Sequence, residues 1–191
     1  MMRLLMLLGA LAISACKEDV ASLPTPVSLT AQAVGHYCQM DLLEHPGPKA
    51  QVHLDGLPDP LFFSQVRDAI AYQRMPEQSH AVRAIYVNDM AAAPSWDQPG
   101  ADNWIDAKTA HYVIGSDATG GMDAPELVPF RHAADAQAFA EMRGGHVVTL
   151  TQVADADVLS AVPIAATADD DPAEEDDFQA RLERLSKERQ N

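Results

Sequence analysis

Two periods of apolar residues organise the chain between residues 34 and 153. Residues 50–54, Ala-Gln-Val-His-Leu, alternate at period two, the mark of a strand with distinct faces. Over 61–74, Leu61, Phe62, Val66, Ala69 and Ile70 fall at helical spacing, and 81–87 returns to a run rich in β-formers. The pattern then recurs. Residues 110–115 read as a strand, a glycine-rich loop follows, and 127–130 reads as a short strand. An alanine-rich helix is predicted over 132–143, stopped by Gly144-Gly145 because glycine tolerates a left-handed cap, and 146–151 closes as another strand.

Each half follows one plan, strand-strand-helix-strand, which predicts an α+β fold with helices on one face of small, mostly antiparallel sheets. Neither half is large enough to stand alone, so the two modules are expected to pack together. The predicted organisation is a signal over 1–15, an acylated cysteine and tether over 16–33, a first module over 34–93, a connection over 94–103 and a second module over 104–153. An acidic, disordered tail with a possible terminal helix is expected over 154–191.

The ends carry their own signals. Arg3 and the apolar run 4–13 lead into Ile13-Ser14-Ala15-Cys16, the order of a bacterial lipobox in which Cys16 becomes the acylated first residue. The apolar run is shorter than the roughly 20 residues a spanning helix needs. By resemblance to lipoproteins of double-membraned bacteria, Lys17 in place of an acidic residue after the cysteine leans towards the outer membrane. The formal net charge of −15 leaves no basic patch for phosphates, which excludes nucleic acid as a partner. Much of that acidity is the block from Asp169 to Asp177, which repels itself in any compact arrangement.

With Cys16 acylated, Cys38 is a single thiol outside the cytoplasm, with no disulfide partner in its own chain. His36, Cys38 and Met40 stand at i, i+2 and i+4, so an extended segment would project imidazole, thiolate and thioether from one face. Thiolate with thioether selects Cu(I) over hard cations. Whether His36 is a ligand or an ordinary exposed histidine stays open at this point. Gly120-Gly121-Met122-Asp123 lies in the loop of the second module, where two glycines let the backbone turn tightly. Met122 is either a gap-filling methionine or a second thioether brought to Cys38. Met75, Met90 and Met142 read as packing residues. His45, His53, His80, His132 and His146 form no zinc-like pair, and there is no CxxC.

Signals for an enzyme are thin. The chain has no G-x-S-x-G, no phosphate-binding glycine loop followed by lysine and no HExxH. Asp106 reads as a turn or capping residue, and Cys38 and His36 two apart on a strand are poorly placed as nucleophile and base.

At several of these residues, in order from about Cys16 to about Val153, the chain resembles the NosL family of copper-binding lipoproteins associated with nitrous oxide reductase assembly. The matches include the lipobox, Cys38-Gln39-Met40, Lys49-Ala50-Gln51, Ala84 to Asp89, Trp104-Ile105-Asp106-Ala107 with Ala110 to Val113, Gly121-Met122, Pro129-Phe130, and Phe139-Ala140 leading into Gly144-Gly145. Gln39 and Asp123 stand where the family usually has glycine. The resemblance implies a fold similar to the organomercurial lyase family and one Cu(I) per chain, held by Cys38, Met40 and Met122. It also implies a periplasmic role as copper chaperone for the copper–sulfide centre of nitrous oxide reductase, beside a membrane transporter complex. His36, Asp123 or water would complete the shell. Two other readings stand beside it: a metal-free interaction lipoprotein that docks partners through its acidic surface, and a thiol enzyme, whose chemistry looks to need a second cysteine.

Overall fold

A computed structural model of the chain describes residues 22–76, 78, 80–162 and 181. The lipobox, Cys16 and the acidic block therefore lie outside the described residues. Among the described residues no helix is long and apolar enough to cross a membrane.

The first module comprises β1 (Ala50–Leu54), β2 (Leu61–Phe63), α1 (Val66–Arg74) and β3 (Val82–Asn88). β4 (Trp104–Asp106) adds to its edge, giving a four-stranded antiparallel sheet in the order β2-β1-β3-β4. The second contains β5 (His111–Ile114), β6 (Val128–Phe130), α2 (Ala133–Arg143) and β7 (His146–Thr149), with sheet order β6-β5-β7. In both halves the first strand is central, flanked by the strand before the helix and the strand after it. The α+β plan of two strand-strand-helix-strand modules is thus the observed one.

Sequence periodicity misplaced three boundaries. Leu61 and Phe62 belong to β2, paired with β1, and the helix starts only at Val66. A three-residue strand cannot show a period of its own, and its apolar pair merges with the helical stripe behind it. Trp104-Ile105-Asp106 belongs to the first sheet, because Val87 pairs with Ile105, so the second module does not begin at 104. The tail does not begin at 154 either. A short helix, α3 (Asp155–Leu159), packs on α1. Val158 is buried there, Arg74 bonds Asp155 Oδ1 at 2.8 Å and the Val153 carbonyl at 2.8 Å, and the Arg67 guanidinium reaches the carbonyls of Val158 and Ser160. Val158 and the two arginines of α1 anchor it, while Asp157 takes the Ala154 N–H at its start.

The tether expected over 16–33 is likewise part of the fold from Pro24 onward. β1 is buried on both faces. Ala50, Val52 and Leu54 face the main core, while Gln51 and His53 point to the other side. There the N-terminal segment covers them: the Gln51 amide exchanges bonds of 2.8 and 3.0 Å with the Val27 backbone, and His53 Nε2 lies 2.9 Å from Gln51 Oε1. A buried amide must find partners, and an extended backbone supplies both a donor and an acceptor. Leu29 and Ala33 then pack with Leu42 and Trp104.

One core joins the modules. Val52, Phe63, Ile70 and Ile85 of the first pack with Tyr112, Leu127, Val148 and Val158. Val158→Ala should lower folding stability by about 2 kcal/mol, two methyl groups and the cavity they leave. Thermal denaturation would show no loss if residues beyond 153 were a detached tail.

Candidate metal centre

Cys38 does not sit on a strand. Val34 pairs with Asp41, the Gly35 N–H bonds the Met40 carbonyl at 3.0 Å, and the Gln39 N–H bonds the Gly35 carbonyl at 2.9 Å. Gln39 has φ of 55°, the left-handed conformation that closes the turn. The expected alternation of His36, Cys38 and Met40 is therefore replaced by a loop, and the three side chains do not share a face. The turn winds tightly enough that a Cβ on Gly35 would lie 2.4 Å from Cys38 Sγ, a contact only glycine avoids.

His36 goes elsewhere. Its ring packs among Tyr37, Phe63 and Tyr72, with centroid separations of 5.3, 5.5 and 5.6 Å. Met40 is half exposed and does not line the cavity that Cys38 lines. That cavity, about 310 Å³ and open to solvent, has Tyr37, Cys38, Ser64, Gln65, Asp68 and Met122 in its wall. Cys38 and Met122, 84 positions apart, thus meet at one opening, and the second-module loop approaches the Cys38 turn. Asp123, next to Met122, is exposed and does not line this cavity.

Sequence reading missed the nitrogen donor nearest Cys38. The short 3-10 turn Leu42–Glu44, anchored by fully buried Leu42, aims His45 back at the cysteine, with Nε2 3.9 Å from Sγ. His45 Nδ1 lies 2.8 Å from the Gly121 carbonyl. Nδ1–H donated to that carbonyl leaves Nε2 with a free lone pair facing the thiol. The available signal was the run Pro46-Gly47-Pro48 after His45, which turns the chain back on itself. Among the described residues no three His, Cys, Asp or Glu side chains gather as a metal cluster. The donors here are a thiol and a thioether on the same cavity wall, with a buried imidazole 3.9 Å from the thiol that does not itself line the cavity.

The glycines of the Met122 loop are needed for close approach. A Cβ on Gly120 would lie 2.4 Å from Glu126 Oε2 and 2.8 Å from Gln65 Cγ, and one on Gly121 would lie 2.6 Å from His45 Cβ. Beneath the loop, Glu126 is buried and caps α1 from the other module. Its Oε1 accepts N–H bonds from Arg67 at 3.0 Å and Leu127 at 2.8 Å, and Oε2 lies 3.3 Å from the Val66 nitrogen. Burial pushes this carboxyl up to about 8 against the pull of those N–H groups. Lys49 is also fully buried, its ammonium donating to the carbonyls of Pro46, Gly47 and Ser64. Burial pulls it down to about 8, while negative charge on Glu126 and Cys38 acts in the opposite direction.

The chain can now be set beside known proteins. A sequence model of the NosL family matches residues 26–158. The copper-binding lipoprotein NosL of Achromobacter cycloclastes is 53% identical over 186 residues, covering 96% of this chain and 95% of that protein. The copper-binding lipoprotein NosL of Stutzerimonas stutzeri is 32% identical over 153 residues, 78% of each. The crystal structure of the copper chaperone NosL from Shewanella denitrificans superposes with a TM-score of 0.64 at 30% identity, covering 69% of this chain and 97% of that one.

Gln39 and Asp123, the two places where glycine was expected, are also the non-glycine positive-φ residues among those described, at 55° and 59°. The left-handed conformation costs an ordinary side chain about 1–2 kcal/mol. Gln39 offsets this with its amide, which donates to the His36 carbonyl at 2.7 Å and the Gly35 carbonyl at 3.3 Å. Asp123 shows no such side-chain bond among the described residues. Asp123→Gly should therefore stabilise by roughly 1 kcal/mol, Gln39→Gly should lie near zero, and Gln39→Ala should destabilise by about 1–2 kcal/mol, all read from denaturant unfolding.

The raised Glu126 carboxyl has a signed consequence for pH. Its proton favours the folded state, so its contribution is complete below about 4.5 and is lost as pH rises to about 8. Lys49 contributes no slope below about 8, where it is charged folded and unfolded alike. Glu126→Gln keeps the oxygen for Arg67 and Leu127 and removes the titration. The stability of the native protein relative to this variant should fall between pH 5 and 7.5, by at most about 1.4 kcal/mol per unit. A difference flat with pH would show that Glu126 titrates normally.

Proposed function

The chain belongs to the NosL family, and we propose that it is a lipoprotein that binds one Cu(I) per chain. On this reading it is anchored through Cys16 on the periplasmic side of a bacterial membrane, with Lys17 favouring the outer membrane. Its cargo goes to nitrous oxide reductase during assembly of the copper–sulfide centre, beside a membrane transporter complex. Copper here is cargo and not a resident cofactor, and the chain acts as a carrier and not as an enzyme.

One observation carries this reading: the Cys38 thiol and Met122 share one open cavity built from both modules, and the buried His45 imidazole backs the thiol at 3.9 Å. Cu(I) accepts few ligands and favours soft donors, so a thiolate anchor with a thioether and an imidazole suits it, while oxygen-seeking cations find no cage here. Met122 is about half exposed and Cys38 partly so, which leaves room for an acceptor's ligands to enter before these depart. Met40 joins the set only if its side chain swings round the turn, so its share is expected to be the smallest.

Relatives that are copper-binding lipoproteins and a copper chaperone support copper binding. The delivery step rests on the family resemblance. Anaerobic Cu(I) titration of the metal-free protein against a competing chelator tests the site. One tight equivalent is expected. Cys38→Ala should weaken it by orders of magnitude, Met122→Leu and His45→Ala by about tenfold each, and Met40→Leu least. Unchanged affinity in Cys38→Ala would overturn the assignment and favour the metal-free interaction lipoprotein.

A further inference from the structure

The Met122 loop is held by side chains outside the donor set. Gln65, the residue before α1, is almost fully buried, and its Oε1 accepts the Met122 backbone N–H at 2.7 Å. The loop is closed on itself by bonds from Gly120 N–H to the Ala124 carbonyl at 2.9 Å and from Glu126 N–H to the Ala118 carbonyl at 3.1 Å. Glu126 then fixes the first turn of α1 against that loop by taking the Arg67 N–H. Gly120 is pressed between Glu126 and Gln65 with no space for a methyl group. The loop therefore has an anchor at Met122 itself, and the anchor comes from the first module.

We propose that Gln65 is a positioning residue of the copper site, pinning the Met122 backbone so that its thioether is held in reach of an ion on Cys38. The inference rests on the reading of Met122 as a ligand. A methionine side chain has several free torsions, and a Gly-Gly hinge before it adds more. Fixing the backbone at Met122 removes the largest of these freedoms before the ion arrives, which is preorganisation of the donor. Gln65 lines the same cavity, and its role in this proposal is exerted through the Met122 backbone and not as a ligand.

Gln65→Leu keeps most of the volume and removes the acceptor; Gln65→Ala serves the same comparison should leucine unsettle the fold. Two measurements on the full chain decide the matter: backbone hydrogen exchange at Met122 without metal, and Cu(I) affinity in the single and double variants with Met122→Leu. Exchange at Met122 is expected to accelerate, and affinity to fall roughly tenfold, the scale on which outer-shell partners of ligands act. In the double variant, affinity should equal that of Met122→Leu alone, because a residue acting through Met122 has nothing left to position. Losses that multiply in the double variant, or unchanged Met122 exchange in the Gln65 variant, would overturn the proposal. Wild-type affinity in Gln65→Leu beside a weakened Met122→Leu overturns it alone. Wild-type affinity in Met122→Leu removes Met122 as a ligand and takes the proposal with it.

Discussion

A single buried carboxyl holds the two modules in register. α1 begins without a side-chain cap of its own, and its first N–H groups would otherwise be left buried and unpaired. Glu126, on the approach to β6 in the other module, takes them. Burying a charged carboxyl is costly, and the backbone N–H donors offset only part of that cost, so the group holds its proton well above the usual carboxylate range. Because cap and helix belong to different modules, sliding one against the other would strand both partners. The donor set is divided along the same seam, with Cys38 and His45 on one side and Met122 on the other. The geometry of the site thus depends on how α1 is capped, together with the shared core and the His45–Gly121 and Gln65–Met122 bonds that cross the same seam.

Above that rigid floor the ligands are left accessible. Lys49, Glu126 and Gln65 are buried, while Met122 stands half in solvent and Cys38 lies partly open. A carrier needs this division. The support must hold the donors close enough to capture an ion, and the donors must be soft and accessible enough to give it up by ligand exchange. The left-handed turns at Gln39 and Asp123 belong to the same layer. Each flanks a sulfur residue, and at each the chain accepts backbone strain in order to turn sharply beside it. At Gln39 the side-chain amide ties the turn together by bonding its carbonyls, which accounts for glutamine at a position suited to glycine.

Much of the fold was legible in the chain, because secondary structure leaves a local period. Strands around β1, β3, β5 and β7 and the helix over α2 were placed to within a residue or two. The losses have particular causes. β2, β4 and β6 are each three residues long, below the length at which a period exists. β6 was still legible between a glycine-rich loop and the helix, whereas β2 merged with the helical stripe behind it and β4 was assigned to the wrong module. Residues 24–33 read as tether because of their prolines, and 155–159 as tail because so short a run beside the acidic block shows no period. Their docking depends on a few contacts, Gln51 with Val27 and Arg67 with Ser160, that no local pattern announces.

By itself the sequence determined the doubled strand-strand-helix-strand plan and the presence of soft donors at Cys38, Met40 and Met122, since periodicity and side-chain chemistry are local properties. The tertiary structure alone decided which donors meet. A positive φ at Gln39 bends the segment out of the extended form, turning His36 into an aromatic cluster and leaving Met40 off the wall of the cavity. His45 takes the place beside Cys38, held by a carbonyl 76 positions away in the loop that carries Met122. A site assembled across a module junction depends on backbone turns and long-range hydrogen bonds. Neither is encoded in the spacing of its ligands.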